Sequence, residues 1–434
     1  MQYNFPVKDL FEARAVLEPD FNLFLYPQLY VNLDKVRIEN KFKDYRKNIK
    51  RSLNIDEKTG TVHVIGNSYK KILFTGFRGS GKTTELRKLE KELSGRNKYF
   101  TVFIELEQEY NITRFQFEDF FFILFYKFSL VLNADKDLKH VAKHIDSLIK
   151  DLISDKHIEQ EIKGRFNTQG DFEASSGFNL LNLFRTKVDI KTEFAGGTTI
   201  AKVIRTKIKT KLGAIIDNFN HTLDFIRPEI EKHGKGKDIL FIIDGLEKVP
   251  FEIYERLIVK DNYAIRNLNV NIITAIPIEA QYLANTRAAQ DLFTSFLLPV
   301  VRVDNPENRK IMSQVITRRI DFGTFFEDYQ TLDFLVKMSG GVLRQLFKLV
   351  SFCLLYAENP KLNLFEVKEI VYQYGKMMFE TLNAKQIRLL KDFKTGKRQI
   401  VPANEEDGIL LFNLYLLKYN GFYQINPVME DFIR

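Results

Sequence analysis

One stretch narrows the possible folds more than any other. It is Lys71-Ile-Leu-Phe-Thr-Gly-Phe-Arg-Gly-Ser-Gly-Lys-Thr-Thr84, an apolar run that ends in a glycine-rich loop and passes into a helix-forming segment. Gly76, Gly81, Lys82 and Thr83 stand at the specified places of G-x-x-x-x-G-K-[ST]. A chain that wraps around phosphates needs its backbone N–H groups turned inward with no Cβ in the way, and glycine supplies that. Gly76, Arg78, Gly79, Ser80, Gly81, Lys82, Thr83 and Thr84 therefore form the expected cradle. Lys82 is directed to the β and γ phosphates of ATP, and the Thr83 hydroxyl to Mg2+. The segment from Thr84 to Leu93, read as a helix, offers the positive end of its dipole to the same phosphates.

A second nucleotide motif follows at Asp238-Ile-Leu-Phe-Ile-Ile-Asp-Gly-Leu-Glu-Lys248. An apolar run here leads to an acid at a strand's carboxyl end, where ligands of a parallel sheet bind. Asp244 is expected to hold Mg2+ through its water shell, and Glu247 to polarise the attacking water. Lys98 to Leu106 reads as a buried strand, so strand, loop, helix and strand form a βαβ unit and the sheet is parallel. Asn269 to Pro277 is a further strand, taken to end at Thr274, whose hydroxyl either senses the γ-phosphate or is satisfied by backbone. Ser339-Gly-Gly-Val-Leu-Arg-Gln-Leu346 puts Arg344 in the first turn of a helix. A cation there is disfavoured unless an anion sits nearby, which points to phosphate contact.

With 434 residues, 45% hydrophobic and 28% charged, the chain has room for two or three domains with sizeable cores. Its apolar runs, such as Phe120 to Tyr126, are too short to cross a bilayer, and no secretory signal is visible, so a cytoplasmic location with no membrane contact is expected. The single Cys353 cannot form an internal disulfide and reads as a buried thiol. A net charge of +9 is compatible with nucleic acid as a partner and equally with lysine-rich solvated faces. Its densest part is Lys202, Arg205, Lys207, Lys209 and Lys211, either a phosphate-gripping stripe or an exposed helix face.

Elsewhere, Val36 to Leu53 reads as one helix with a basic outer face, Val62 to Ile65 as a short strand, and Phe115 to Phe128 as a core helix. Phe178 to Phe184 and Val188 to Phe194 read as strands of an insertion, as in a hairpin. His140 and His144 have the one-turn spacing of a zinc pair, but Val141 stands where H-E-x-x-H has glutamate and no third ligand suggests itself, so no metal is expected there. Phe296 to Val303 is a strand in which Pro299 points to an edge or a bend, and helices continue from Asn305-Pro306 onward. At the C-terminus, Ala384 to Phe393 and Asp407 to Tyr419 read as helices, Phe422 to Asn426 as a strand after an Asn420-Gly421 turn, and Pro427 to Arg434 as a closing helix. Lys385, Arg388, Lys391 and Lys394 would make a basic face.

In this order, Gly76 to Thr83, Ile239 to Glu247, Thr274 and Gly340-Gly341-Val-Leu-Arg344 resemble the AAA+ ATPases and their STAND relatives, especially the branch similar to origin-recognition ATPases. The resemblance implies an α/β P-loop NTPase with a parallel sheet of order 5-1-4-3-2, a helical lid and a C-terminal winged-helix-like domain. Its divisions would be an N-terminal helical segment 1–60, an ATPase core 61–305 with an insertion at about 110–236, a lid 306–360 and the final domain 361–434. It also implies an adenine pocket near Tyr30 to Val36, with Arg344 as the lid arginine. Gly245 follows Asp244 where many AAA+ members place a catalytic glutamate, so the base moves to Glu247 as in STAND proteins. The strand end lacks the arginine common in STAND chains, and Arg287 or Arg302 is the remaining candidate for a finger acting on a neighbour.

These residues support an ATPase switch that works with a protein partner or as a homo-oligomer, a type common in bacterial antiviral and mobile-element conflict. They also support a DNA-binding ATPase that positions other proteins, or a scaffold that binds ATP without hydrolysing it. A GTPase is disfavoured because no [NT]-K-x-D motif follows the acid strand.

Overall fold

The computed structural model describes residues 3–18, 21–38, 42–66, 68–166, 178–281, 292–359, 361–398, 405–419 and 422–433. At its centre are five strands, β1 (Lys71–Gly76), β2 (Tyr99–Glu105), β3 (Asp238–Asp244), β4 (Asn271–Ile276) and β5 (Thr294–Leu298). All pair in parallel in the order β2-β3-β4-β1-β5, the expected 5-1-4-3-2 read from the other edge. Every residue of β1, β3 and β4 is buried, as β-branched and aromatic runs covered on both faces should be. By contrast β5 is the partly exposed edge, and it stops just before Pro299, which has no N–H to give a ladder. This arrangement brings the loop after β1 and the acid at the end of β3 to one rim of the sheet, on either side of β4.

Between β2 and β3 the insertion is helical throughout its described part. An aromatic helix, Phe117–Ala134, buries Phe120, Phe121, Phe122, Phe125 and Phe128 on all sides, so it lies inside a core and not on a surface. A long helix, Thr199–Lys232, buries one stripe against it, with a non-helical residue at Lys211. The two expected strands of a hairpin are instead helices, Phe178–Lys187 and Ile190–Gly196. Their buried positions explain why: Leu180, Leu181 and Phe184 in one, and Ile190, Glu193 and Phe194 in the other, recur at three or four residues, which is helical spacing. The Asp189 side chain caps the second helix, and Gly197 ends it in the left-handed region at φ 61°.

Other expectations need correction. Among the described residues Val36 to Leu53 is two short helices, Asp34–Arg37 and Tyr45–Ser52, with Lys47 and Arg51 on the outside but Arg46 turned inward onto buried Glu85. Val62 makes only an isolated bridge to Ile55. Past Glu405–Phe412 the chain turns into a strand, β6 (Leu416–Lys418), which pairs antiparallel with β7 (Tyr423–Ile425), so Asp407 to Tyr419 is not one helix. The expected closing helix from Pro427 is, among the described residues, a single tight turn, Pro427–Met429. The turn at Asn420-Gly421 lies outside the described residues.

The apolar interior falls into three clusters. One lies under the insertion, and another, including Leu86, Leu89 and Phe74, covers the opposite sheet face with Tyr45, Ile49 and Leu53. The third joins Val7, Ala13 and Val16 of the N-terminal residues to the helices after Pro306 and to Leu416 and Ile425. Residues before 60 are thus divided between two cores. No helix among the described residues is long and apolar enough to cross a membrane.

Candidate nucleotide-binding site

The phosphate loop leaves β1 at Gly76 and enters the helix Lys82–Leu93. Gly79 (φ +80°) and Gly81 (φ +95°) adopt the left-handed backbone that glycine allows, and no side chain caps the helix start. A Cβ on Gly79 would stand 2.2 Å from that of Arg344, so the glycine also admits the segment that carries Arg344. Lys82 is 6% exposed; its ammonium donates to the carbonyls of Gly76 (3.0 Å) and Phe77 (3.3 Å) and lies 3.6 Å from Glu247. Thr83 donates its hydroxyl proton to Asp244 at 2.6 Å. The whole insertion lies between these two in the sequence, and the sheet order closes that gap.

Asp244 is 2% exposed, and its second oxygen has no partner. Burial above all, and then the neighbouring Glu247, pushes its carboxyl well above the usual range, with the Thr83 hydroxyl pulling the other way. Gly245 (φ +97°) makes the tight turn that brings Glu247 back over Lys82, and one Glu247 oxygen is also without a partner. Thr274 stands two residues inside β4, not at its end; its hydroxyl is buried without a partner, and it does not line the cavity described below.

A different acid occupies the space beyond that strand. Glu279, on the turn Glu279–Gln281, lines the cavity with one buried, unpartnered oxygen. Burial pushes it up to about 7, with the charge of Lys82 only partly offsetting this. Nothing local in the chain marks it beyond its position after β4.

Lys82, Thr83, Glu247 and Glu279 line a cavity of about 850 Å3, of the size of small-molecule sites, with Asp244 behind Thr83 and not itself in the lining. Tyr30, Val31 and Leu33 form one wall, in the stretch where the resemblance placed the adenine pocket. Gly341 (φ +80°) comes so close to the sheet exit that a Cβ would lie 1.9 Å from the Val301 carbonyl oxygen, and this seats the helix Leu343–Tyr356 over the loop. There the Arg344 N–H donates to Gly79 O at 3.0 Å, and the Arg344 side chain faces the cavity with its pKa lowered by burial and by Arg78. The C-terminal part closes the roof through Gly408, Ile409 and Phe412, with Arg78 over the Phe412 ring. Thr84 and Gly76 line the floor, while Ser80 is fully buried beneath it.

Arg37 is a cavity residue that sequence reasoning missed. It is 2% exposed and donates to the Ser80 carbonyl (2.5 Å) and to Glu85 (3.3 Å), bracing the loop from behind. Arg46 and Tyr45 hold the same Glu85. The density of charge from Val36 to Leu53 is the available signal, but by itself it reads as the basic outer face of one helix.

The basic residues of the long helix do not act together. Arg205 forks onto Asp119, and Lys207 caps the carbonyls of Asp151 and Ser154, leaving Lys202, Lys209 and Lys211 exposed. Lys394 likewise caps Glu430 and Ile433. Arg302 pairs with Asp304, and Arg287 lies outside the described residues.

Sheet order, phosphate loop and strand-end acid together define a P-loop nucleoside triphosphatase fold. No family model and no curated protein matches the chain. Among solved structures, the Walker-type ATPase of Pyrococcus abyssi is similar at 14% identity and a TM-score of 0.41, over 94% of this chain and 99% of that one. The Aeropyrum pernix ORC1 protein in complex with DNA follows at 12% and 0.37, over 94% and 83%. The Thermotoga maritima RuvB Holliday junction branch migration motor stands at 11% and 0.33, over 91% and 95%. The class rests on the sheet and the loop, not on these distant likenesses.

Proposed function

We propose that this chain binds ATP with Mg2+, hydrolyses it, and uses the nucleotide state to set the position of its lid and C-terminal part. The observation that carries this reading is one buried corner: Thr83 on Asp244 at 2.6 Å beside Lys82 at 3.6 Å from Glu247, with unpartnered oxygens on both acids. Buried acids with open hydrogen-bonding capacity are costly unless a ligand uses them. Mg2+ would be held by Thr83 and, through water, by Asp244, neutralising phosphate charge.

As phosphates enter, the Lys82 ammonium exchanges the Gly76 and Phe77 carbonyls for phosphate oxygens, which frees Glu247. Glu247 then accepts a proton from the water that attacks the γ-phosphorus, while the bond to the β-phosphate oxygen breaks, giving ADP and phosphate. Tyr30, Val31 and Leu33 receive the base, and Arg344 meets the phosphates from the lid. Because Arg344, Gly408 and Phe412 share the cavity with the loop, a change at the γ-phosphate is felt by both later segments.

The test is Glu247→Gln. Turnover should fall by about 100-fold or more, as for loss of a general base, while ATP affinity holds. If the wild type shows no turnover either, the chain is a non-hydrolysing ATP scaffold. A DNA-loading role is weaker, because Arg205 and Lys207 are committed to internal contacts.

A further inference from the structure

His140 and His144, at the one-turn spacing from which no metal was expected, do not pair. His144 stacks on Phe225, with centroids 4.6 Å apart and an angle of 4° between the planes. His140 turns instead to the end of the long helix, where Glu229 and His233 stand one turn apart on the same face. Nε2 of His140 lies 3.2 Å from Glu229 Oε2, and Nε2 of His233 lies 3.4 Å from the same oxygen. The three donor atoms all fall within 4.8 Å of one another.

We propose that His140, Glu229 and His233 form a Zn2+ site. Zinc bonds to nitrogen and oxygen of about 2.0–2.2 Å place neighbouring ligands about 3.3–3.5 Å apart at the corners of a tetrahedron. The two nitrogen-to-oxygen separations, 3.2 and 3.4 Å, are already close to that length, and the two rings that must come together are exposed and free to turn. Two imidazoles and one carboxylate suit zinc chemically, with the fourth position open to water.

The frame is fixed beforehand. Lys235 binds Asp135 (2.9 Å) and Asp137 (2.8 Å), which ties the turn that carries His140 to the end of the long helix. One other cation uses the same carboxylate: Lys232 Nζ donates to Glu229 at 3.0 and 3.1 Å. Its side chain is 67% exposed, so it can give way to the metal and return to water. The site lies just before β3, at the end of the sheet opposite Asp244, and would pin the turn after the aromatic helix to the end of the long helix. It is independent of the nucleotide reading.

The experiment uses the full chain, stripped with EDTA, dialysed and titrated with ZnCl2 alone in a calorimeter at neutral pH. One Zn2+ per chain is expected, with a rise in melting temperature as zinc is added. His140→Ala and His233→Ala should each weaken binding by about 100-fold or more, beyond the loss usual for an outer-shell partner, and leave ATP affinity unchanged. Co2+ in place of Zn2+ should give the visible absorption of a tetrahedral site in the wild type and not in the double variant. Failure of the wild type to take up zinc stoichiometrically would overturn the proposal. So would uptake that survives the double substitution, which would place the metal elsewhere, such as at Thr83 and Asp244.

Discussion

Asp119 and Asp146 in the helical insertion, and Asp244 and Glu247 beside the phosphate loop, are all largely withdrawn from water, yet only the first two are fully furnished with partners. Arg205 reaches both oxygens of Asp119 at 2.7 Å, with the Gln116 N–H adding a third bond. Asp146 is held by Ser129 (2.7 Å), Asn133 and Arg185. Asp244 has one hydroxyl on one oxygen, and Glu247 a single ammonium at 3.6 Å. Paired acids hold helices together; acids with an oxygen left open sit where a ligand can use them. Two sites built from largely buried carboxylates therefore do opposite work, and the count of partners tells them apart.

The sharpest way to break this contrast is Arg205→Ala, which strands the fully buried Asp119 without its partner. It should cost about 3–5 kcal/mol of stability, read as a large fall in melting temperature, with ATP affinity of the folded protein unchanged. A small loss would mean that Asp119 takes up a proton easily and that partner count says little. Next comes Lys82→Ala, which removes the cation from the other site. ATP affinity measured by calorimetry should drop by about a hundredfold, near the upper end for a charged hydrogen bond, while the unliganded fold melts at nearly the same temperature. The smallest effect concerns Glu279. Its folded pKa, raised to about 7, exceeds the unfolded value near 4.5, so its contribution to stability is complete below about pH 4.5 and is lost as pH rises towards 7. Glu279→Gln should remove roughly 1–2 kcal/mol of that decline, allowing for a partly exposed carboxyl. Denaturant midpoints measured between pH 4.5 and 7.5 would show it, and equal slopes in both proteins would refute it.

Legibility in the sequence followed the range of the interaction involved. The phosphate loop, the acid strand and the parallel direction of the strands could be read because each depends on contiguous runs, glycines at fixed offsets or apolar residues leading to an acid, whereas the strand order came only from the family resemblance. The helices Phe178–Lys187 and Ile190–Gly196 were misread because short apolar runs fit periods of two and of three to four about equally well, and only the core beneath them chooses. Arg37 escaped notice because a buried arginine and a solvated one look alike until Glu85 and the Ser80 carbonyl are set beside it. Glu279 was hidden for a related reason, since nothing local marks an acid that neighbours Lys82 only after β4 is laid against β1.

The amino-acid sequence by itself determined the loop from Gly76 to Thr84, the acid at Asp244 with Glu247 after it, and the parallel sheet that carries them, because backbone freedom and hydrophobic period are local properties of the chain. Only the tertiary structure decided that Arg344 and Phe412 roof the same cavity, that Arg205 serves Asp119 and not an outside phosphate, and that His140 meets His233 and not His144. Those outcomes depend on which distant side chains arrive within a few ångströms of one another, and that is fixed by how the layers pack.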